Sequence, residues 1–404
     1  MKNTITNMKL NPSFIKPRYD SGGFAGIPNR INEAFESKNY DAVVLFFVDA
    51  FGWRFFERFQ DHPFLQRFSK KGRVEKITSQ FPSTTAAHVT TIHTGMDVGQ
   101  TGVHEWYYYE PLVDRVIAPL LFSYADGSKG RGTLEKKVKP EALYPKGRFY
   151  SGLKARGVTS FNFGVRDHTP SKYGNVVMQG SEIISFRTLS EALVNIGSTL
   201  KAQTQPAYIH LYFDRIDGIA HEYGPNSPQV EAEIETFLLM MENYFDRFFG
   251  GSKRILFLMT ADHGVCEVDP QTTVYLNTDW EFSGFERFIR ANRRGHLIVP
   301  AGSARDMFLY IKKGMEDEAR EFLAKRLEGR ADVVKTEDLI AEGFFGSDVS
   351  PRFRERAGNL VILPYRHESV WWYEKDKFEM QFLGHHGGLT PQEMETVLYS
   401  LEVG

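Results

Sequence analysis

Three continuous apolar runs dominate the pattern of hydrophobic and polar positions. Each run predicts a β-strand that is buried on both faces, as in a parallel sheet. Acidic and imidazole side chains follow the runs: Asp49 after the first, Asp217 and His221 after the second, Asp262 and His263 after the third. Because open α/β sheets bind ligands at the carboxyl ends of their strands, we expect these side chains to meet at one edge. The runs cover residues 42–48, 207–213 and 255–260.

Shorter apolar runs and helical periodicity alternate along the rest of the chain. Runs at 74–78 and 160–165 predict two more strands, and apolar spacing over 187–199 and 230–249 predicts amphipathic helices. Residues 110–150 are rich in glycine, proline and lysine, which predicts long loops that form a lid or a pocket wall. The alternation predicts an α/β protein with a central, mostly parallel sheet flanked by helices.

A compact unit over 300–345 predicts a small α+β subdomain inserted into the main fold. We therefore expect a catalytic domain made of residues 1–299 and 346–404. A further strand is predicted at 359–363, and a Thr-Pro-x-Glu start predicts a helix after Thr390. The inserted unit is βαβ-like, with a strand, a helix and a strand at 307–311, 316–327 and 331–335.

The hydroxyl-rich stretch 81–95 joins the strand at 74–78 to a helix predicted from Ala86 onward. Thr84 or Thr85 would lie at the helix N-terminus, where a hydroxyl caps free backbone N–H groups and where a bound phosphate is also favoured. A threonine in this position is either a cap or a nucleophile that faces a phosphate. Since metal coordination activates such a hydroxyl, the choice depends on whether the chain supplies metal ligands.

Candidate metal ligands are present in sufficient number for two cations. Zinc sites use aspartate oxygen and histidine nitrogen, and Asp217 and His221 are spaced to share one face of a helical turn. Each candidate alone is better explained as a cap, an ion-pair partner or a hydrogen-bonded polar group. The metal hypothesis depends on the joint pattern, in which three buried strands each end in a possible ligand and a hydroxyl lies at a helix start. Paired sites hold two cations about 3.5–4 Å apart and clamp the attacking and leaving oxygens. The candidates are Asp49, Asp217, His221, Asp262, His263 and either His385 or His386.

Composition narrows the remaining classes of protein. The chain of 404 residues has a net charge of −2, which argues against nucleic-acid and membrane-surface partners. The single cysteine, Cys266, indicates a reducing compartment. Residues 1–17 lack the apolar core of a signal peptide, and no run reaches the roughly 20 apolar residues of a membrane helix, so we expect a cytoplasmic protein. Neither a P-loop nor a Gly-x-Ser-x-Gly elbow occurs, which disfavours P-loop NTPases and α/β-hydrolases.

Six short motifs follow one another along residues 41–390. They are Val48–Gly52, Phe81–Thr85, Thr94–Gly95, Asp217–Pro225, Thr260–Gly264 and His386–Gly388. This ordered set resembles the type I phosphodiesterase/nucleotide pyrophosphatases of the alkaline phosphatase superfamily. The resemblance implies an alkaline-phosphatase-like fold and two bound divalent metal ions, zinc in most members, with manganese as the alternative.

The resemblance also implies roles for individual residues. Thr85 rather than Thr84 matches the nucleophile, and His386 rather than His385 matches a metal ligand. His88 stands where many members have an asparagine that contacts phosphate, so His88 is an expected substrate contact. Trp106 is the other expected contact, independently of the resemblance, because an aromatic ring beside the site can stack a base. One metal would be held by Asp49, Thr85, Asp262 and His263, and the other by Asp217, His221 and His386.

The implied activity is that of a metal-dependent phosphohydrolase, most simply a phosphodiesterase or nucleotide pyrophosphatase. Thr85 would attack phosphorus and form a phospho-threonine intermediate. The expected substrate is a small phosphate ester or a nucleotide, without a membrane or a stable nucleic-acid partner, and the oligomeric state stays open. Two alternatives remain: a phosphomonoesterase or phosphomutase of the same superfamily, and a non-catalytic regulatory module with a degenerate metal site.

Overall fold

A computed structural model of the protein describes residues 8–125, 130–251 and 253–404. The first part of the stretch in which we expect no signal peptide lies outside the described residues. The strands are β1 (Ala42–Val48), β2 (Arg73–Thr78), β3 (Tyr108–Glu110), β4 (Arg115–Ala118), β5 (Ser123–Tyr124), β6 (Thr159–Val165), β7 (Glu182–Phe186), β8 (Ala207–Phe213), β9 (Ile255–Thr260), β10 (Cys266–Glu267), β11 (Val274–Tyr275), β12 (Met307–Leu309), β13 (Ala331–Lys335), β14 (Leu360–Pro364), β15 (Val370–Trp371), β16 (Gly384–His385) and β17 (Glu395–Val403).

The α-helices flank these strands and connect them. They are α1 (Ile27–Glu36), α2 (Trp53–Phe59), α3 (Pro63–Lys71), α4 (Thr85–Thr94), α5 (Val98–Thr101), α6 (Pro140–Leu143), α7 (Phe149–Ala155), α8 (Lys172–Val177), α9 (Leu189–Ala202), α10 (Arg215–Tyr223), α11 (Pro228–Phe249), α12 (Glu316–Arg326), α13 (Thr336–Ala341), α14 (Pro351–Arg356) and α15 (Pro391–Met394). None of the helices in the described part of the chain has the length and hydrophobicity that spanning a bilayer requires.

Seven strands form the central sheet, in the order β2-β17-β9-β1-β8-β6-β7. Strand β1 lies in the middle and pairs in parallel with β8 and β9, so that Val48 lies beside Phe213 and Phe47 beside Thr260. The ends of the three apolar runs are therefore neighbours on one edge of the sheet. Strand β17 runs in the opposite direction to the other six strands of this sheet. The predicted central, mostly parallel sheet is confirmed.

Helices cover both faces of the sheet, which is why every residue of β1 is buried. Alternate side chains of the strand enter different cores. Phe46 packs with α2, α3, α9, α10 and α11 on one face, whereas Phe47 packs with α1, α4, α7 and α8 on the other. Burial of a phenylalanine side chain contributes roughly 1.5–3 kcal/mol, so this double packing makes the strand ends a rigid platform.

The last strand was not predicted. The expected helix after Thr390 is only the four-residue α15, and the chain then enters β17, which lies between β2 and β9. Strand β17 pairs over most of its length with both neighbours, as in the pair Leu398 and Thr260. It therefore links β2 to the parallel strands.

The prediction of long loops over 110–150 is correct only in part, although Leu120, Leu121 and Arg131 of this stretch do line a cavity, as expected of a pocket wall. Strands β3, β4 and β5 form a three-stranded antiparallel sheet, and α6 and the start of α7 follow it. Ile117, Phe122 and Leu143 belong to the core beneath α4. These elements are too short for a clear hydrophobic period, so glycine and proline content dominated the prediction.

The inserted unit contains the predicted strand, helix and strand as β12, α12 and β13. Both strands are antiparallel to β14, which lies between them, so the unit is a split form of βαβ. Strand β14 lies beyond the expected limit of 345, and the small sheet therefore draws on the chain past the predicted subdomain. The division of the chain into 1–299 with 346–404 and 300–345 stays a prediction.

Candidate active site

Strands β1 and β9 each place acidic or imidazole side chains of the site just past their carboxyl ends. Asp49 follows β1, and Asp262 and His263 follow β9. His263 Nε2 lies 3.2 Å from Asp262 Oδ2 and 3.6 Å from Asp49 Oδ1. All three side chains are buried, and their facing atoms lie close enough to hold one metal ion.

A second group of ligand atoms adjoins the first. Asp217 and His221 are one turn apart on α10, with 3.4 Å between Asp217 Oδ2 and His221 Nε2. His386 reaches in from the glycine-rich loop after β16, and its Nε2 lies 3.6 Å from Asp217 Oδ1. The His263 and His386 rings stack with 3.6 Å between their centroids. Asp217, His263 and His386 thus form another possible metal-binding group that shares His263 with the first.

The three imidazoles are oriented by the backbone. Nδ1 of His221 donates to the Gly384 carbonyl at 2.8 Å, and Nδ1 of His386 donates to the Ser83 carbonyl at 2.9 Å. His263 Nδ1 donates to the carbonyl of the next residue at 3.1 Å. Metal-binding histidines are commonly held by such an outer hydrogen bond, which orients the ring so that Nε2 faces the site.

Each of the three carboxylates of the site has one oxygen without a hydrogen-bond donor. Asp49 Oδ1, Asp217 Oδ1 and Asp262 Oδ2 are buried and accept no hydrogen bond. Burial, with Asp262 and Asp217 nearby, raises the pKa of Asp49 well above its usual value. Closely spaced, buried carboxylate oxygens are costly unless a cation neutralises them. The donor set therefore fits divalent cations such as zinc.

Close backbone approach brings the tips of β1 and β9 together. Ala50 adopts a left-handed conformation with φ of 64°, and its N–H donates to Asp262 Oδ1 at 3.2 Å. A Cβ atom on Gly52 would lie 2.6 Å from the Gly264 Cα. Glycine is required here because any side chain would push the two ligand-bearing turns apart.

Thr85 is the first residue of α4 and lies beside the first ligand group. Its Oγ1 is 3.3 Å from Asp49 Oδ2 and 3.3 Å from His263 Nε2. Thr84 is the N-cap residue, but its hydroxyl makes no capping bond and instead contacts the buried Glu105. Of the two threonines, Thr85 alone lies against the ligand atoms, with the free N–H groups of the helix start nearby for an anion.

The loop that carries His386 is anchored from the small sheet. Arg305 and Glu393 are both fully buried and form two parallel bonds, with 3.0 Å from Nε to Oε1 and 2.9 Å from Nη2 to Oε2. Glu393 Oε1 also accepts from the Gly388 N–H at 3.0 Å. Arg305 stands just before β12, so this ion pair couples the inserted unit to the ligand loop.

Tyr212 holds Asp49 in position. Its hydroxyl donates to Asp49 Oδ2 in a short hydrogen bond, and it lies on β8 opposite Phe47, two residues before the Asp49 turn. Sequence reasoning missed Tyr212 and Arg305, and it assigned Glu393 only to the capping box at the start of α15, which the structure contains. The one signal for Tyr212 in the sequence was a tyrosine within an otherwise apolar strand run. The residue that its hydroxyl meets, Asp49, is set by the pairing of β8 with β1.

His88 is not placed to contact a substrate, which corrects the expectation from the sequence. Its Nδ1 donates to the Thr84 carbonyl at 2.7 Å, and its Nε2 accepts from the Gln80 N–H at 2.9 Å. Ser79 Oγ also lies 2.9 Å from Nε2. Burial lowers the pKa of His88 to about 4, so it is a neutral core residue that fixes the turn before α4.

Two cavities open beside Thr85. The helix-side cavity, of about 310 Å³, runs along α4 and β8 past Val89, His93 and His210. The aromatic cavity, of about 450 Å³, is walled by Tyr107, Trp371, Phe378 and Phe382. Trp106 lines both cavities and is 38% exposed, which is compatible with the predicted substrate contact.

A family model described as type I phosphodiesterase / nucleotide pyrophosphatase matches residues 43–389. The chain belongs to this family. The enzyme is thus a hydrolase of phosphoester bonds, of the phosphodiesterase/pyrophosphatase type, and the predicted enzyme class is confirmed. A comparison with curated protein sequences found no match.

Solved structures share the fold of this phosphodiesterase-family chain. Murine ectonucleotide pyrophosphatase/phosphodiesterase 5 superposes with a TM-score of 0.65 at 15% identity, over 89% of this chain and 87% of its own. Phosphonoacetate hydrolase from Sinorhizobium meliloti, solved with phosphonoacetate, gives 0.59 at 17% identity, over 88% and 89% of the two chains. An inactive variant of the murine protein was solved in complex with AMP. At these identities the likeness establishes the alkaline-phosphatase-like fold alone.

The phosphodiesterase-family chain thus gathers most of its predicted site residues at one edge of the sheet. His385 lines the aromatic cavity but belongs to neither ligand group, and its Nδ1 accepts from the His386 N–H at 2.8 Å, whereas His88 is in the core. The roles of the gathered residues as metal ligands and nucleophile stay predictions. The gathered residues are Asp49, Thr85, Asp217, His221, Asp262, His263 and His386.

Proposed function

We propose that this protein is a metal-dependent phosphodiesterase or nucleotide pyrophosphatase that acts through a phospho-threonine on Thr85. The observation that carries the proposal is the position of Thr85 Oγ1, 3.3 Å from both Asp49 Oδ2 and His263 Nε2 at the start of a helix. A solitary capping hydroxyl would bond to the N–H groups of its own helix. This hydroxyl instead faces the ligand atoms.

Two divalent cations, zinc in the first instance, would be held by the gathered side chains. Asp49, Asp262, His263 and Thr85 would hold one, and Asp217, His221 and His386 the other. Bound there, the cations would polarise the phosphoryl oxygens and neutralise charge on the entering and leaving oxygens. The partnerless oxygens of the three aspartates support this assignment.

The chain's own groups then perform the transfer. Thr85 Oγ1 loses its proton to the Asp49 carboxylate and attacks phosphorus, while the bond from phosphorus to the leaving oxygen breaks. The leaving group takes up that proton and departs, which restores the Asp49 carboxylate. The N–H groups at the start of α4 hold a non-bridging oxygen. A water molecule then attacks the phospho-threonine, which releases a phosphate monoester and restores the Thr85 hydroxyl.

A nucleotide ester or pyrophosphate is the proposed substrate. The murine structure with AMP supports this choice, as does the presence of a cavity on each side of Thr85. A cytoplasmic location is proposed from the single, buried Cys266.

Turnover of bis(p-nitrophenyl) phosphate by Thr85 variants tests the proposal. Thr85→Ala should lose at least about 1,000-fold in kcat, because the attacking atom is gone, while Thr85→Ser should retain turnover to within about a hundredfold. Thr84→Ala is the matched control and should stay within about tenfold of the wild type. Mass spectrometry of acid-quenched enzyme should find phosphate on the peptide that contains Thr85. Full turnover by Thr85→Ala would refute the assignment.

A further inference from the structure

We propose that a cavity beside α10, separate from the candidate active site, binds a small organic acid with an apolar body. This arginine cavity measures about 410 Å³, and small-molecule sites commonly measure roughly 300–1,000 Å³. The inference does not depend on the proposed function. Both charged and apolar side chains line the cavity, among them Arg187, Arg215, Phe213, Phe237 and Met240.

The arginine cavity lies at a point where the sheet changes the direction of its connections. Strand β6 continues through α8 to β7, its neighbour on one side, whereas β8 continues through α10 and α11 to β9, which lies beyond β1 on the other side. Connections that leave neighbouring strands in opposite directions open a crevice beyond the carboxyl ends of those strands, and open α/β sheets bind ligands in such crevices. Val165 and Phe213, the last residues of β6 and β8, line the cavity.

Helix α10 separates the arginine cavity from the proposed metal ligands. Arg215 and Ile219 lie about one turn apart and line the cavity, whereas Asp217 and His221, also about one turn apart, belong to the second ligand group. A step of two residues along an α-helix turns the side chain by roughly 200°, so the two pairs point in nearly opposite directions. None of the described residues that line the cavity is a proposed metal ligand.

The apolar part of the wall comes from three elements. Phe186, Phe213 and Phe237, from β7, β8 and α11, are at most 6% exposed. The rings of Phe213 and Phe237 lie 5.1 Å apart, and the partly buried Ile219 and Met240 extend the same surface. Because burial of one methylene group strengthens binding by up to about fourfold, this surface fits the apolar body of a ligand.

The charged part of the wall favours an anionic head group. Arg187 directly follows β7, and its guanidinium forms no ion pair or hydrogen bond within the described part of the chain. Arg215 Nε lies 4.0 Å from Asp214 Oδ1, but Asp214 lines the helix-side cavity and its Oδ2 lies 3.0 Å from His168 Nε2. Burial raises the pKa of Glu233, and nearby Arg215 opposes that rise. Among the described residues, the wall carries two arginines and one acidic side chain, Glu233, so it matches a carboxylate rather than a cation.

Calorimetric titration of the full-length, zinc-loaded chain with octanoate tests the inference. Wild-type protein should bind one octanoate, and hexanoate and butanoate should bind more weakly, by up to about fourfold for each methylene that is lost. Arg187→Gln should weaken octanoate binding about 10- to 100-fold, because a hydrogen bond between charged groups is lost. Arg166→Gln is the matched control: Arg166 follows β6 as Arg187 follows β7, and it is exposed but does not line the cavity. This variant should bind octanoate like the wild type.

Three results would overturn the inference. They are an absence of octanoate binding to the wild type, equal affinities for octanoate and butanoate, and equal octanoate affinities of Arg187→Gln and the wild type. The last result would place the carboxylate elsewhere, as on a metal ion. Met240→Glu provides a second variant on a different element, so the test does not depend on the folding of Arg187→Gln. It introduces a negative charge into the wall and should weaken octanoate binding at least about tenfold, and an unchanged affinity would also refute the site.

Discussion

Glu393→Gln should destabilise this protein by about 3–5 kcal/mol, although Glu393 touches no proposed substrate or metal. The substitution keeps the shape of the side chain but removes the charge that faces Arg305. Both side chains are fully buried, and the removal of one partner of a buried ion pair leaves the other charge uncompensated. A neutral amide would also accept more weakly from the Gly388 N–H, a bond that is 3.0 Å long, so the loop with His386 should loosen.

An exposed ion pair provides the matched control. Arg354 and Glu337 form two 2.6 Å bonds, but their side chains are 43% and 69% exposed. Surface pairs contribute about 0–1 kcal/mol, so Glu337→Gln should change the free energy of unfolding by less than that. The two substitutions have the same chemistry and differ in burial.

Urea unfolding followed by tryptophan fluorescence measures both effects as shifts of the midpoint at constant slope. The double variant Arg305→Met with Glu393→Leu should recover much of the loss, because apolar replacements of a buried pair are commonly tolerated. Zinc affinity should fall in Glu393→Gln and not in Glu337→Gln. If the two single variants unfold at the same urea concentration, the buried pair does not anchor the loop.

Three further changes have defined outcomes. Chelation of divalent metal should abolish turnover and lower the thermal midpoint of unfolding. The reason is that Asp49, Asp217 and Asp262 each carry a buried oxygen without a hydrogen bond, which a cation would neutralise. A midpoint that neither falls on chelation nor recovers with zinc would contradict this prediction. Tyr212→Phe removes the hydroxyl that holds Asp49 and should weaken zinc binding about 10–100-fold in a metal titration. An unchanged zinc affinity would show that this contact is incidental. Burial and nearby Arg356 lower the pKa of His104 to about 3, below its unfolded value, so its contribution to stability is present above about pH 6.5 and is lost as pH falls. Between about pH 7 and pH 5, the free energy of unfolding of His104→Phe should therefore fall by about 2 kcal/mol less than that of the wild type, as measured by urea unfolding at the two pH values. Equal falls in the two proteins would show that His104 is not responsible.

The sequence was sufficient for the centre of the sheet. Strands β1, β8 and β9 are unbroken apolar runs because helices cover both of their faces, and short runs of this kind bounded by polar residues are typical of such strands. The position of acidic residues just past the runs predicted where the site lies, and the helical spacing of Asp217 and His221 predicted their contact. The assignment of Thr85 and His386 over their neighbours needed the resemblance to a family, since local patterns treat adjacent threonines or histidines alike.

Features that depend on distant pairing were not predictable. The strand Glu395–Val403 has no special composition, and its place between β2 and β9 follows from contacts across most of the chain. The ion pair between Arg305 and Glu393 joins residues 88 positions apart. For His88 the sequence predicted a substrate contact that the structure does not contain, because a motif position gives the residue type but not the direction of its side chain. Ser79, Gln80 and Thr84 turn that ring into the core.

The ligand atoms and the cavity walls come from different kinds of structure, and this affects how the protein can change. Backbone hydrogen bonds hold neighbouring strands about 4.8 Å apart, so the spacing between Asp49 and Asp262 resists drift. The surfaces that would meet a substrate belong to connecting segments around Trp106 and 371–382. Substitutions in those segments, in evolution or in the laboratory, can therefore change which substrates bind while the spacing of the ligand atoms is kept. A mutant library confined to those segments is the direct way to change the substrate preference.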